Sequence, residues 1–193
     1  MAEELFPGQV GLALLANSMA TGTGLFVLIN CLSDLSGAHL NPVVSFIEYL
    51  SKRLKTKELI IYVTAQMMGA YFGIILTHTM FNRTVFEISV IERSGTHLLI
   101  SELIATFGLI CVVLLASKKN IQLIPQSVAA YITSAYWFTS STSFANPAVT
   151  FARTFTNSFG GMSPAHYLPF LIFQFCGGLL AWYVMKLLNQ KAK

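Results

Sequence analysis

Apolar positions along the 193-residue chain gather into long runs, and polar positions are confined to the breaks between them. A helix needs about 20 mostly apolar residues to cross a bilayer. Five runs meet that length: residues 10–32, 58–80, 97–117, 121–142 and 166–188. Pro125 opens the fourth, where its missing N–H costs little. Two further runs, 42–50 and 147–158, are too short to cross. They follow the pairs Asn41-Pro42 and Asn146-Pro147. Asn as cap and Pro at the first position suit a half-helix that dips into the membrane and returns to the same side.

The order of these runs repeats. The first repeat, residues 8–80, has a span, an Asn-Pro half-helix and a span containing "AQMMGAYFGIIL" (65–76). The second, residues 97–188, holds a span, an Asn-Pro half-helix and a span containing "FQFCGGLLAWYV" (173–184). Gln66 and Gln174 precede the small pairs Gly69-Ala70 and Gly177-Gly178, which let helices approach closely in lipid. Segment 97–117 comes before this pattern with no counterpart ahead of residue 10, so symmetry leads one to expect a further helix before Met1. Glu102, a carboxylate within segment 97–117, has no first-half counterpart either. The chain reads as one all-α membrane domain over 1–193, an inverted repeat with two re-entrant half-helices and five full spans.

Composition agrees. Charged residues make up 10% of the chain, against about 25% in soluble domains. With a mean hydropathy of +0.64, too few solvated side chains remain to cover a water-facing surface. Nine of the 12 Lys and Arg fall in three clusters: 52–57, Lys118 with Lys119, and Lys186, Lys191 and Lys193. These sit at the ends of apolar segments, not on a basic face of a soluble fold, so no nucleic-acid partner is expected. Counting spans, and letting each half-helix return to its own side, puts all three clusters together. The positive-inside rule then sets them in the cytoplasm with the C-terminus, in the inner or plasma membrane, and the N-terminus outside. The outer loop 81–96 balances Arg83 and Arg93 against Glu87 and Glu92. Glu3 and Glu4 stand where a cleavable signal would be basic.

Cys31, Cys111 and Cys176 are isolated and read as small packing residues, contact with a soft solute at Cys31 or Cys176 being the alternative. His78, His97 and His166 lie near span ends, and with His39 they suggest no converging metal site and no cofactor.

Inverted repeats bring the two half-helices in from opposite faces, N-terminus to N-terminus near the midplane. Irregular backbone at that depth survives only beside protein or a water-filled cavity, so these turns line a pore. Each N-terminus carries about +0.5 charge, and two facing ends repel cations, protons included. Asn41 and Asn146 cap the helices and offer Nδ2–H donors to a passing oxygen, while Pro42 and Pro147 fix the turns. Asn-Pro is also a plain turn initiator, a reading that explains one copy better than two matched ones.

The stretches "SGAHLNPVVSF" (36–46) and "FANPAV" (144–149), with Glu102 in its helix, resemble the major intrinsic protein family, the aquaporins and aquaglyceroporins, over residues 8–188. The resemblance implies an aquaporin-like fold, a homotetramer with one pore per subunit, and two pore motifs, Asn41-Pro42-Val43 and Asn146-Pro147-Ala148. In most members an arginine follows the second motif; here that position is Val149. The other filter positions fall by spacing on Thr21, Ser134 and Ser143. Such a filter is wide and has no fixed cation. Arg153, one turn beyond Val149, is placed in the outer vestibule; the alternative is a snorkelling arginine at a helix end.

A wide neutral filter suits glycerol, urea and metalloid hydroxides such as As(OH)3, with water also passing, and could tolerate weakly anionic methylated arsenicals. "LLANSMATG" (14–22) and "AAYITSAYWFTSSTSFANPAV" (129–149) are similar to the bacterial aquaglyceroporin branch associated with arsenic resistance. Glu102 is expected to accept hydrogen bonds from loop N–H groups near 141–145, with a proton relay as the alternative. His39, Gln66 and Gln174 are expected to brace the loops. A secondary transporter would need more intramembrane acids than Glu102 alone, and an enzyme would need a nucleophile–base or metal constellation that is not visible. The remaining rival is a non-conducting relic or assembly partner, suggested by the absent first helix.

Overall fold

The computed structural model describes residues 1–191. After a short helix α1 (Ala2–Leu5), helices α2 (Val10–Ser36), α3 (Pro42–Leu50) and α4 (Thr56–Met80) cover the first repeat. Helices α5 (Thr96–Lys119), α6 (Ile124–Phe138), α7 (Pro147–Ala152) and α8 (Tyr167–Lys191) make up the second. No strand forms among the described residues.

Helices α2, α4, α5 and the segment around α8 are long and apolar enough to cross a membrane. The fourth expected span, 121–142, is shorter than expected and begins in a 3₁₀ turn. A 3₁₀ turn over Ile121–Leu123 leads into α6, which has 15 residues and ends at Phe138. At about 1.5 Å per residue that is only about 22 Å. The hydroxyl-rich run 139–143 stops it: Thr139 Oγ1 bonds back to the Ala135 carbonyl at 2.6 Å, and Thr142, Ser143 and Ala145 take positive φ. The second half-helix is also shorter than 147–158, ending at Ala152 and passing into a 3₁₀ turn over Arg153–Phe155.

The two re-entrant turns share one local design. Asn41 and Asn146 are both extended, with φ near −157° and −155°. Their Oδ1 atoms accept from Val43 N at 2.9 Å and Ala148 N at 3.0 Å, as helix caps do. Each turn also carries a pair of positive-φ residues just ahead of the cap, Ala38 and Leu40 in one, Ser143 and Ala145 in the other. Four residues into each half-helix a hydroxyl receives an amide from the following long helix. Gln66 Nε2 donates to Ser45 Oγ at 3.0 Å, and Gln174 Nε2 to Thr150 Oγ1 at 2.8 Å.

In lipid, helices associate through close packing and polar contacts, since the surroundings are as apolar as leucine. Gly177 on α8 lies against the Leu103 carbonyl of α5 with no room for a Cβ, and Gly22 on α2 lies against Thr133 of α6 in the same way. Half-helix α3 is enclosed by α5 and α8 in a cluster of Val43, Ile47, Ile110 and Ala181. The symmetric expectation at Gly69-Ala70 does not hold. Gly69 faces open space, and none of the apolar window of α4 is buried. Among the described residues no helix packs on α4 as α5 packs on α8.

At the end of the fold next to α1, the loop 81–95 is laced to segment 154–166. Ser89 N donates to Thr154 O at 2.8 Å, Ser163 N to Ile91 O at 2.7 Å, and Asn157 N to Glu87 Oε2 at 2.9 Å. His166 Nε2 meets Glu92 Oε2 at 2.6 Å. His78, near the end of α4, is buried, with Nδ1 on the Thr84 carbonyl at 2.7 Å.

Candidate pore

The two caps meet. Asn41 Nδ2 donates to the Ala145 carbonyl at 2.8 Å, and Asn146 Nδ2 donates to the Leu40 carbonyl at 2.8 Å. Each asparagine thus bonds the residue that precedes the other. Because each Oδ1 is held by its own helix, the direction of each Nδ2 is fixed. An amide nitrogen has two hydrogens. One is spent on the opposite carbonyl, and the second has no hydrogen bond to the described residues. Both asparagines line a cavity of about 1210 Å³. The motif neighbours do not: Val43 and Pro147 are fully buried, Pro42 and Ala148 buried, serving the packing that holds the caps in place.

At the end of the cavity beside the 81–95 loop, Thr21, Tyr136, Ser143, Val149 and Arg153 line the wall. Tyr136 Oη lies 3.1 Å from Thr21 Oγ1 and accepts from Arg153 Nη2 at 3.2 Å. Arg153 Nη1 donates to the Gly160 carbonyl at 3.2 Å, and its Cζ stands 4.1 Å from the centre of the Phe144 ring. Ser143 is 3% exposed, and its Oγ finds no partner among the described residues. Position 149 carries no arginine, and the guanidinium on this part of the wall is that of Arg153. The side chain does not snorkel, because carbonyl, hydroxyl and ring all hold it inward.

Ser134 is the filter position that the structure does not bring to the cavity. It bonds to its own helix at the Ala130 carbonyl, 2.9 Å, and lies in a shallow outer groove with Met19, Thr23 and Phe26. Tyr136, two residues on, lines the cavity instead. Two residues are about 200° of helix turn, so a register error of two exchanges one face for the other. The usable signal was the i, i+4 series Ile124, Val128, Ile132 and Tyr136, all four of which line the cavity.

Toward the opposite end the wall includes His39 and Val44, then Lys52, Arg53, Lys118 and Lys186. His39 Nδ1 lies 3.0 Å from Ser45 Oγ, and its ring is 4.8 Å from that of Tyr62. Glu48 holds Arg53 through two oxygens. Behind the wall, Glu102 is fully buried. It accepts from Phe144 N at 2.9 Å, Ala145 N at 2.8 Å and Gln174 Nε2 at 2.6 Å. Gln66 and Gln174 face the half-helix hydroxyls, not the cavity.

Two capped half-helices joined at their tips across a cavity, inside a sheath of membrane-length helices, are the build of a transmembrane channel. The major intrinsic protein model matches residues 7–139. An aquaglyceroporin of Rhizobium meliloti (strain 1021), AqpS, is 44% identical over 182 residues, 94% of this chain and 78% of that one. An aquaporin of Oryza sativa subsp. japonica, PIP2-5, is 30% identical over 119 residues, 57% of this chain and 42% of its own length. The X-ray structure of the aquaglyceroporin from Plasmodium falciparum superposes with a TM-score of 0.67, at 22% identity, over 91% of this chain and 81% of that one, and shares the fold. The chain belongs to the major intrinsic protein family, whose members are multi-pass membrane channels for small solutes and not enzymes.

Proposed function

We propose that the chain passes small uncharged polar molecules, namely glycerol, metalloid hydroxides such as arsenite, and water, while excluding ions and protons. One observation carries this reading: a single cavity reaches from the hydroxyl-and-guanidinium cluster of Thr21, Tyr136, Ser143 and Arg153, past the paired amides of Asn41 and Asn146, to the lysines at the other end. On the cluster side a solute hydroxyl meets several donors and acceptors; Val149 supplies an apolar face. At the caps, fixed N–H groups replace water of hydration for a neutral oxygen. A cation meets two helix N-termini, each with about +0.5 charge at full strength, and Arg153 besides. The reading also places the chain in the plasma or inner membrane with its C-terminus and basic clusters in the cytoplasm. It assembles as a homotetramer with a pore in each subunit, as the family resemblance suggests.

The test is stopped-flow light scattering on proteoliposomes. Glycerol and As(OH)3 flux should scale linearly with the solute gradient, ignore ion gradients and reverse direction when the gradient is reversed. Flux that follows a proton or sodium gradient would overturn the reading in favour of a transporter. A second reading, a non-conducting assembly partner, has one observation behind it: no residue in the apolar window of α4 is fully buried, and Gln66 Oε1 is buried without a partner among the described residues. Liposomes that hold the folded chain and swell no faster in glycerol than empty ones would favour it.

A further inference from the structure

We infer that Arg93, in the loop between α4 and α5, is a positioning residue that aims Arg153 into the pore; this rests on the filter proposed above. Three consecutive carbonyls carry the argument. Arg93 Nη2 holds the Phe159 carbonyl at 3.1 Å, and Arg93 Nε holds the Gly161 carbonyl at 2.8 Å. The carbonyl between them, Gly160, is the one that anchors Arg153 Nη1. One guanidinium thus brackets the backbone acceptor of the other.

The Phe144 ring gives an independent second link. Arg93 Cζ stands 5.0 Å from its centre and Arg153 Cζ 4.1 Å, so both cations lean on one π face or edge system. Arg93 Nη1 also reaches the Ser141 carbonyl at 3.5 Å, three residues ahead of Phe144. Arg93 itself is absent from the cavity wall. Its acceptors are all carbonyls; no carboxylate pairs with it in a salt bridge among the described residues. Burial, with the nearby charge of Arg153, brings its pKa down to about 10, so it remains a cation at neutral pH. A partly buried guanidinium without a paired acid is costly to retain for loop stapling alone. Its planar fork spans two carbonyls at a fixed spacing, a task an ammonium does not reproduce.

The chain of contacts then runs from Arg93 through Gly160 and Phe144 to Arg153, and on to Tyr136 and Thr21. Losing Arg93 frees the Phe159 and Gly161 carbonyls, and the Gly160 carbonyl that anchors Arg153 loses its brace on both sides.

The full chain is reconstituted in liposomes, and the ratio of glycerol to water permeability is measured for the parent, Arg153→Ala, Arg93→Gln, Arg93→Lys and the double variant Arg93→Gln with Arg153→Ala. Arg153→Ala should change the ratio several-fold. Arg93→Gln should move it in the same direction by at least twofold, Arg93→Lys should restore less than half of that shift, and in the Arg153→Ala background Arg93→Gln should add nothing. An unchanged ratio in Arg93→Gln, an equal loss for both solutes, or the same extra factor in the double variant would overturn the positioning role while leaving the filter intact. If Arg153→Ala itself leaves the ratio unchanged, the filter reading fails first and this inference with it. Should Arg93→Gln not insert, Arg93→Lys against the parent and in the Arg153→Ala background carries the same comparison.

Discussion

Replacing Glu102 by Gln tests the scaffold of the second re-entrant loop. The carboxylate accepts three hydrogen bonds in a fully buried site: two from consecutive backbone N–H groups, Phe144 and Ala145, and one from Gln174 Nε2. Gln keeps the shape but turns one acceptor oxygen into an NH2, which then faces either a backbone N–H or the Gln174 amide. At least one donor is left unpaired and one new donor is buried. An unsatisfied buried donor costs about 1–3 kcal/mol, and a bond to an ionised acceptor is worth about 1.5–3 kcal/mol. Glu102→Gln should therefore lose about 3 kcal/mol, and Glu102→Ala, which abandons all three donors, about 5 kcal/mol. For a chain of this size about 1 kcal/mol corresponds to a melting shift of about 2–4 °C, so Glu102→Gln should melt roughly 6–12 °C lower. The assay is intrinsic fluorescence or light scattering during heating in detergent, with glycerol flux measured in parallel. A shift under about 2 °C for both variants would refute the reasoning, because three buried donors cannot lose their acceptor so cheaply. A proton-relay role would instead leave stability alone and alter proton leak.

Gly177→Val should cost about 1–3 kcal/mol by forcing α8 off the Leu103 carbonyl, whereas Gly69→Val, which points into open space on α4, should stay within about 0.5 kcal/mol; thermal unfolding in detergent compares the two. Val149→Arg would set a second guanidinium one turn from Arg153 and narrow the filter, so glycerol flux should fall about tenfold or more while water flux persists, read by stopped-flow. The Asn157 backbone N–H, the largest cause, holds the Glu87 carboxyl below its ordinary range. A depressed carboxyl contributes stability that is complete above the unfolded value near 4 and is lost as pH falls through the lowered folded value. Limited proteolysis of the 81–95 loop should thus be unchanged from pH 7 to 5 and accelerate on the acid side of about 4, and Glu87→Gln should remove that dependence.

Much of this arrangement is legible in the residues because the strongest signals are local. Pro42 and Pro147 directly after Asn leave little choice for where the half-helices start, and both start there. An acid inside an apolar span must find donors, and the nearest irregular backbone supplied Phe144 and Ala145 to Glu102. The filter was harder, for a physical reason. Counting back from Asn146 to α6 assumes a regular path, but 139–146 is irregular, with three residues at positive φ, so the count landed on Ser134 and the shallow outer groove instead of on the cavity wall at Tyr136. Arg153, expected in the outer vestibule, does line the cavity, but how it is held there could not be read from the chain. Helix α7 ends at Ala152, and the tighter 3₁₀ turn, with Gly160 and Tyr136 as anchors, carries the side chain back toward the pore. Arg93 entered the pattern only as one charge in the balance of loop 81–96: its contacts are with loop carbonyls, which every residue possesses.

The central claim is that solute passes along the wall formed by Arg153, Val149 and the two capped tips. The most direct measurement is glycerol flux through Val149→Cys, made in a background with Cys31, Cys111 and Cys176 replaced by alanine, before and after reaction with a bulky methanethiosulfonate. The account predicts that modification cuts flux at least tenfold, that a reducing agent restores it, and that the cysteine-free chain is indifferent to the reagent. Complete modification, verified by mass, with flux unchanged would contradict it.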